Sequence, residues 1–120
     1  MDYKKLVYIA SPYAGDIKAN TAFARSACRY AIAQGVTPVA VHLLYPQMLD
    51  DHVPEEREAG LQMGLRVLEA CDELWLCGER ISQGMEAELS AAERMGIPVV
   101  RLPDISMETP EKRCAMVMKC

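Results

Sequence analysis

Short apolar runs alternate along the chain with longer stretches in which apolar residues recur every three or four positions. The runs predict strands at 6–10, around 39–41, at 72–78 and at 97–102. The periodic stretches predict helices at about 17–34, 54–70 and 84–95. Because each helix separates two strands, right-handed crossovers and a parallel sheet follow. The expected fold class is α/β, a Rossmann-like three-layer sandwich with a parallel four- or five-stranded sheet.

Length and composition fit one folded domain. A chain of 120 residues that is 51% hydrophobic and 25% charged can bury a core and is not typical of a disordered protein. We expect residues 1–103 to form the α/β domain and residues 104–120 to form a tail, or a short helix at 108–118, within the same domain. The formal net charge of −4 provides no basic stripe, so polymeric nucleic acid is not expected as a partner. A small phosphorylated ligand needs only local donors and stays possible.

The cysteines and the apolar runs favour a cytoplasmic protein. The five cysteines are odd in number and lack a C-x-x-C pair, so reduced thiols are expected rather than a disulfide framework or a zinc site. No apolar run approaches 18 residues, and neither a membrane span nor a membrane partner is expected. The apolar part of the opening MDYKKLVYIAS is too short for a secretion signal and is interpreted as the first strand.

Several side chains are interpreted as core or loop residues rather than as ligands. Trp75 and most of the eight methionines are expected in the core. The second helix has an apolar inner face formed by Leu61, Gly64, Leu65 and Leu68. His42, and His52 within the stretch DDH at 50–52, have no partners at metal-site spacing, so we expect loop hydrogen bonds, no metal and no cofactor.

Two loops carry candidate chemistry at the carboxyl ends of strands, where α/β sheets bind ligands. CGERISQG leads into the third helix, where Ser82 either caps the helix or donates to a phosphate, and Gly84 allows close approach to the backbone. ASPYAGD follows the first strand and offers Ser11, Tyr13 and Gly15 to a base or sugar, or forms an ordinary turn. Neither dinucleotide nor P-loop glycine patterns occur.

The third helix contains two glutamates whose side chains are expected to point in different directions. Met85, Leu89 and Ala92 form an apolar stripe, and helical geometry places Glu88 on it, whereas Glu86 points away. A carboxylate on the packed side is costly unless something pairs with it or uses it. Glu88 is therefore either a nucleophile near the anomeric carbon of a nucleotide whose phosphate lies at 82–84, or the partner of an arginine, Arg57 or Arg66.

Five segments together resemble one known group. VYIASPYAG, PQMLDD, EEREAGLQMGL, CDELWLCG and ISQGMEAE cover roughly residues 6–100. They resemble the nucleoside 2-deoxyribosyltransferase-like superfamily, and within it a small branch of domains of unknown function from bacteria and phages (DUF4406-like). In the established relatives a strand-leading aspartate is followed ten residues later by a serine and six residues beyond that by a glutamate nucleophile. Asp72, Ser82 and Glu88 keep this spacing.

The resemblance implies a nucleoside 5′-monophosphate N-glycosidase or 2-deoxyribosyltransferase in which Glu88 attacks C1′. It also implies no metal or cofactor, and a homodimer or larger homo-oligomer. One position departs from the pattern, because relatives carry an acid where this chain has Gly64, and Glu58, Arg57 or Asp51 would have to substitute. The departure favours the alternative of a non-catalytic nucleotide-binding module. The implied substrate-binding residues are Tyr8, Ser11, Tyr13, Gly15, Ser82, Gly84 and Met85.

Overall fold

A computed structural model describes residues 2–104. It contains four strands, three α-helices and two single 3₁₀ turns in this part of the chain. The strands are β1 Leu6–Ala10, β2 Thr37–Val39, β3 Glu73–Cys77 and β4 Val99–Leu102. The helices are α1 Ile17–Ala33, α2 Pro54–Glu69 and α3 Gln83–Met95, and the 3₁₀ turns lie at Val41–Leu43 and Tyr45–Gln47. The helix predicted at 108–118 lies outside the described residues.

The four strands form one parallel sheet in the order β2-β1-β3-β4. In its register, Tyr8 lies beside Val39 on one side and Leu74 on the other. The Rossmann-like α/β prediction is therefore confirmed, with four strands in the described part. Because β1 and β3 are adjacent, the two loops singled out from the sequence leave the same edge of the sheet side by side.

Alternation along the strands divides the core into two layers. Tyr8 and Ala10 face α2 and α3, in a layer that also buries Leu68 and Met85. Val7 and Ile9 of β1 face α1, in a second layer that includes Trp75. The sheet is thus covered on both faces, as a parallel sheet requires.

The second strand begins earlier than the sequence suggested. It spans Thr37–Val39, and Val41 already starts a 3₁₀ turn. Pro38 sits inside this strand because β2 is an edge strand, so its missing N–H leaves no interior ladder bond unmade. The start of this strand was hard to foresee because Pro38 made these residues either edge-like or loop-like.

The inner-face position predicted for Leu61 was wrong, and the core position predicted for most methionines fails for three of the four described ones; the other four, Met1, Met107, Met116 and Met118, lie outside the described residues. Leu61 shares the helical face of Gly64 and Leu68, but it lies nearer the start of α2 and is 53% exposed. Burial on that face is confined to the later turns of the helix. The described methionines other than Met85 are exposed, namely Met48, Met63 and Met95. Within residues 2–104, no helix combines the length and the apolar character needed to cross a bilayer.

Candidate active site

A hydrogen bond between β1 and α3 forms the centre of the candidate site. Tyr8 is buried, and its hydroxyl donates to Oε2 of Glu88 over 2.5 Å. Glu88 lies in the second turn of α3, on the same side as buried Met85 and Ala92, while Glu86 is exposed. The inward direction inferred from helical periodicity therefore agrees with the structure. Eighty positions of sequence separate the two partners.

No cation of the described residues pairs with the buried Glu88 carboxylate. Its Oε1 is buried and has no hydrogen-bond partner within the described chain. The arginine pairing considered from the sequence does not occur in residues 2–104. Nη1 of Arg66 lies 3.5 Å from Oε1 of Glu69, and neither Arg57 nor Glu88 forms an ion pair there. Burial raises the pKa of Glu88 to about 7, and the hydrogen bond from Tyr8 opposes part of that rise. A buried, half-satisfied carboxylate is costly and is more typical of functional sites than of cores.

The Tyr8 hydroxyl is a permanent donor. Burial, followed by the nearby Glu88 carboxylate and the hydrogen bond to it, raises the pKa of Tyr8 far above its ordinary value. The phenol therefore keeps its proton at any physiological pH and holds one carboxylate oxygen in place. The other oxygen, Oε1, has no partner in the described chain.

Gly64 of α2 faces the Tyr8 hydroxyl. A Cβ built on Gly64 would lie 3.4 Å from the Tyr8 hydroxyl oxygen and 3.8 Å from Cγ2 of Val41. The position at which the resemblance implies an acid is thus directed at the Tyr8 hydroxyl, the group that bonds to the Glu88 carboxylate. Any side chain larger than a methyl group would compete with that hydroxyl for space.

The start of α3 combines a cap with free backbone donors. Ser82 Oγ accepts the N–H of Met85 over 3.3 Å, and the Met85 sulfur lies 3.5 Å from the Ser82 N–H. Ser82 is therefore the N-cap, and Met85 is a core residue that also supports the cap. The N–H groups of Gln83 and Gly84 have no acceptor in residues 2–104, as expected for the first helical positions. They point at the space where an anion would be stabilised by the helix dipole.

The loop after β1 places its three predicted residues in different settings. Ser11 is 1% exposed, and its hydroxyl has no described partner. Tyr13 stacks on His42, with ring centroids 5.0 Å apart and planes 13° from parallel. Gly15 adopts a φ of 97°, and a Cβ built on it would meet nothing within 4 Å, so glycine here serves the turn.

His42 makes a ring contact that the sequence did not indicate. We expected a hydrogen-bonding loop residue, and the structure stacks its ring on Tyr13 instead. Burial lowers the pKa of His42, with Asp51 opposing, so the ring is neutral at pH 7. The stack depends on how the loops after β1 and β2 approach each other. No local sequence signal reports that approach.

The loop after β3 lies close to α1 and to the loop after β1. Gly78 has a φ of 102°, and a Cβ there would lie 3.4 Å from the ring of Phe23 and 3.9 Å from Pro12. This contact sets the first loop against the segment that leads to Ser82. The structure therefore brings both candidate loops to one edge of the sheet, beside the Tyr8–Glu88 pair.

Asp72 acts at the opposite edge. Its N–H donates to the Leu6 carbonyl over 2.7 Å, and its Oδ2 accepts the Leu6 N–H over 2.8 Å. The aspartate that begins the resembling motif thus fixes β3 against β1 at their amino ends. It takes no part in the Glu88 site.

No group of three or more His, Cys, Asp or Glu side chains is arranged to bind a metal in the part of the chain that the structure describes. Asp50 uses its Oδ1 to accept the backbone N–H of His52 over 2.9 Å. The DDH stretch therefore forms a turn that begins the approach to α2.

Comparison with known proteins gives a family and a fold. Residues 5–102 match the model of a family described as a domain of unknown function, DUF7768. No curated protein matches the sequence. Among solved structures, the 2-deoxyribosyltransferase of Bacillus psychrosaccharolyticus is similar, with a TM-score of 0.67 and 19% identity over 80% of this chain and 70% of that one.

The branch expected from the sequence is not confirmed, because the matching family is DUF7768 and not the DUF4406-like one. The structural match supports the wider resemblance at the level of fold. The chain therefore belongs to the DUF7768 family and has the fold of a nucleoside 2-deoxyribosyltransferase.

Proposed function

We propose that this protein cleaves the N-glycosidic bond of a nucleoside 5′-monophosphate, as an N-glycosidase or a 2-deoxyribosyltransferase, with Glu88 as the nucleophile. The observation that carries the proposal is the Glu88 carboxylate, which is buried, unpaired with any described cation, and bonded at one oxygen only. An ion-pairing role does not account for it. The likeness to a 2-deoxyribosyltransferase supports a sugar-transfer chemistry for this carboxylate.

The reaction proceeds by double displacement. The free oxygen of ionised Glu88 attacks C1′, the C1′–N bond breaks, and the base leaves with the bonding electrons and takes up a proton. Water, or a second base, then attacks C1′ of the glycosyl ester, and Glu88 leaves as a carboxylate. The transition states resemble an oxocarbenium ion, which a nearby carboxylate stabilises. Tyr8 positions the carboxylate throughout by bonding to its other oxygen.

The substrate phosphate would bind at the start of α3. Ser82 keeps its cap there, and the free N–H groups of Gln83 and Gly84 supply the donors. Glu88 follows one turn later, which fits the short distance between a 5′-phosphate and the anomeric carbon of the same sugar. The sugar and base would then lie toward Tyr8 and the stacked rings of Tyr13 and His42.

A nucleotide-binding module without turnover is the second candidate. Gly64 favours it, because the implied acid is missing from a position that faces the Tyr8 hydroxyl. Without that acid, the leaving base depends on solvent or another group for its proton. In either candidate the resemblance implies a homo-oligomer. Light scattering on the purified protein tests that point.

A substrate panel separates the two candidates. Nucleoside and deoxynucleoside 5′-monophosphates are incubated with the wild type, Glu88→Ala and the exposed control Glu86→Ala, and free base is measured by chromatography. Base released by the wild type and by Glu86→Ala, but lost in Glu88→Ala, supports the enzyme. Tight binding without any base release supports the module. A protein whose melting temperature no nucleotide shifts fits neither candidate.

A further inference from the structure

We infer that Arg101 of β4 is a positioning residue for nucleotide phosphate, because its guanidinium clamps the loop at 78–82 from the side opposite the ligand. The inference rests on the proposed phosphate site at the start of α3. It goes further by assigning a role to a strand residue that contacts neither substrate nor Glu88.

Within the described residues, the guanidinium bonds to one backbone carbonyl at the end of β3 and to two carbonyls of the β3–α3 connection. One terminal nitrogen of Arg101 donates to the carbonyls of Leu76, over 3.2 Å, and Gly78, over 2.5 Å. The other donates to the carbonyl of Glu79 over 2.8 Å. Arg101 forms no ion pair among the described residues, so its guanidinium bonds to these carbonyls and not to a carboxylate. Arginine suits the task because its rigid fork can bond several carbonyls at once.

These bonds determine where the loop's N–H groups point. In a trans peptide the C=O and the following N–H point in opposite directions. Because the carbonyls of Gly78 and Glu79 face Arg101, the N–H groups of Glu79 and Arg80 face away from it. Neither of these N–H groups has an acceptor within residues 2–104. Gly78 itself donates to Leu102, so β4 occupies this side of the loop.

The outward N–H groups add to the anion site on the far side of the loop. β4 lies at the edge of the sheet, and the side away from it is the side of β1 and the first candidate loop. The free donors at 79 and 80 precede those at 83 and 84 by only a few residues. Successive free N–H groups form a concave site suited to phosphate. Arg101 keeps them oriented before the ligand arrives, and its positive charge adds to the local potential.

Two substitutions of Arg101 distinguish the effect of its hydrogen-bonding geometry from the effect of its charge. Arg101→Met removes both the fork and the charge, whereas Arg101→Lys keeps the charge but cannot bond three carbonyls in the same geometry. Arg94→Met, on the exposed face of α3, is the matched control. Dissociation constants are measured by calorimetry for the nucleoside 5′-monophosphates and for the same nucleosides without phosphate.

We expect Arg101→Met to weaken monophosphate binding by about tenfold or more, and to leave nucleoside binding within about twofold. Arg101→Lys should recover only part of the loss, and Arg94→Met should match the wild type. Equal weakening of both ligands, or no weakening, overturns the inference, as does a wild type with no preference for the monophosphate. If Arg101→Met does not fold, the affinities of Arg101→Lys for the monophosphates and for the nucleosides are compared instead, and they test the inference in the same way.

The test of Arg101 can fail or succeed independently of the test of the proposed reaction. A wild type that prefers monophosphates but releases no base refutes the catalytic proposal, and the affinities of the Arg101 variants still decide the positioning role. A wild type that releases base equally from phosphorylated and unphosphorylated substrates retains the chemistry and refutes the positioning role.

Discussion

The buried carboxylate of Glu88 makes the stability of the protein depend on pH in a predictable direction. Its pKa is about 7 in the folded chain, against an ordinary value of 4.5 for a glutamate. Between these two pH values the folded state holds a proton that the unfolded state has lost. The free energy of unfolding therefore falls as pH rises through this window, and the loss is complete above the folded pKa. At 1.36 kcal/mol per pH unit, the gap corresponds to about 3 kcal/mol.

Glu88→Gln removes this dependence and preserves the shape of the site. The amide does not titrate, and its carbonyl oxygen can still accept the hydrogen bond from Tyr8. Near pH 4.5 the variant and the wild type should have similar stability, because Glu88 is then protonated. At pH 8 the variant should be more stable by about 3 kcal/mol, since the wild type bears the cost of a buried charge.

Urea denaturation followed by the fluorescence of Trp75 measures the difference at each pH. Other groups, including His42 and Glu73, titrate in both proteins and cancel in the comparison. Glu86→Gln on the exposed side of α3 is the control, and its stability should follow that of the wild type at every pH. A Glu88→Gln difference that stays constant within about 0.5 kcal/mol from pH 4.5 to 8 would refute the burial of this carboxylate.

Three further substitutions test the surroundings of Glu88. Tyr8→Phe removes the hydrogen bond that lowers the pKa of Glu88, so the acid limb of the kcat/KM pH profile should move above pH 7. An acid limb at the same pH as in the wild type would contradict the hydrogen bond between Tyr8 and Glu88. Ser82→Ala should lower the free energy of unfolding in urea by about 1 kcal/mol, because it removes the helix cap. Ser82→Asp should keep the cap but repel phosphate, so unchanged monophosphate binding in this variant would argue against the anion site. Gly64→Ala should raise the unfolding free energy by about 0.5–1 kcal/mol, because its Cβ meets only ordinary contacts, and a loss of stability would show that the Tyr8 hydroxyl needs the space.

Regular periodicity was enough to predict the main elements and the direction of Glu88. Strand β1 was predicted at the residues that form it, and α3 differs from its prediction by one residue at the start. Helical geometry separated Glu88 from Glu86 because the side-chain directions on one helix depend only on spacing. The adjacency of β1 and β3, which brings the two loops together, does not follow from periodicity, since strand order is a tertiary property.

Contacts between distant segments could not be predicted. The partner of Glu88 is Tyr8, eighty residues away, and the helical stripe alone equally allowed an arginine. The stack of Tyr13 on His42 likewise requires two loops to meet. Arg101 had a weak signal, a charged residue within an apolar strand, but nothing in the sequence shows that its fork faces the carbonyls of the preceding loop.

The stereochemistry of the reaction tests the nucleophilic role of Glu88 most directly. In buffer containing methanol, a glycosyl ester on Glu88 would be captured by methanol, and NMR would report the anomeric configuration of the methyl glycoside. Two successive displacements retain configuration, so a β-nucleotide should give the β-glycoside, and Glu88→Ala should give none. An α-glycoside would mean that the base is displaced in a single step, and that Glu88 does not attack C1′.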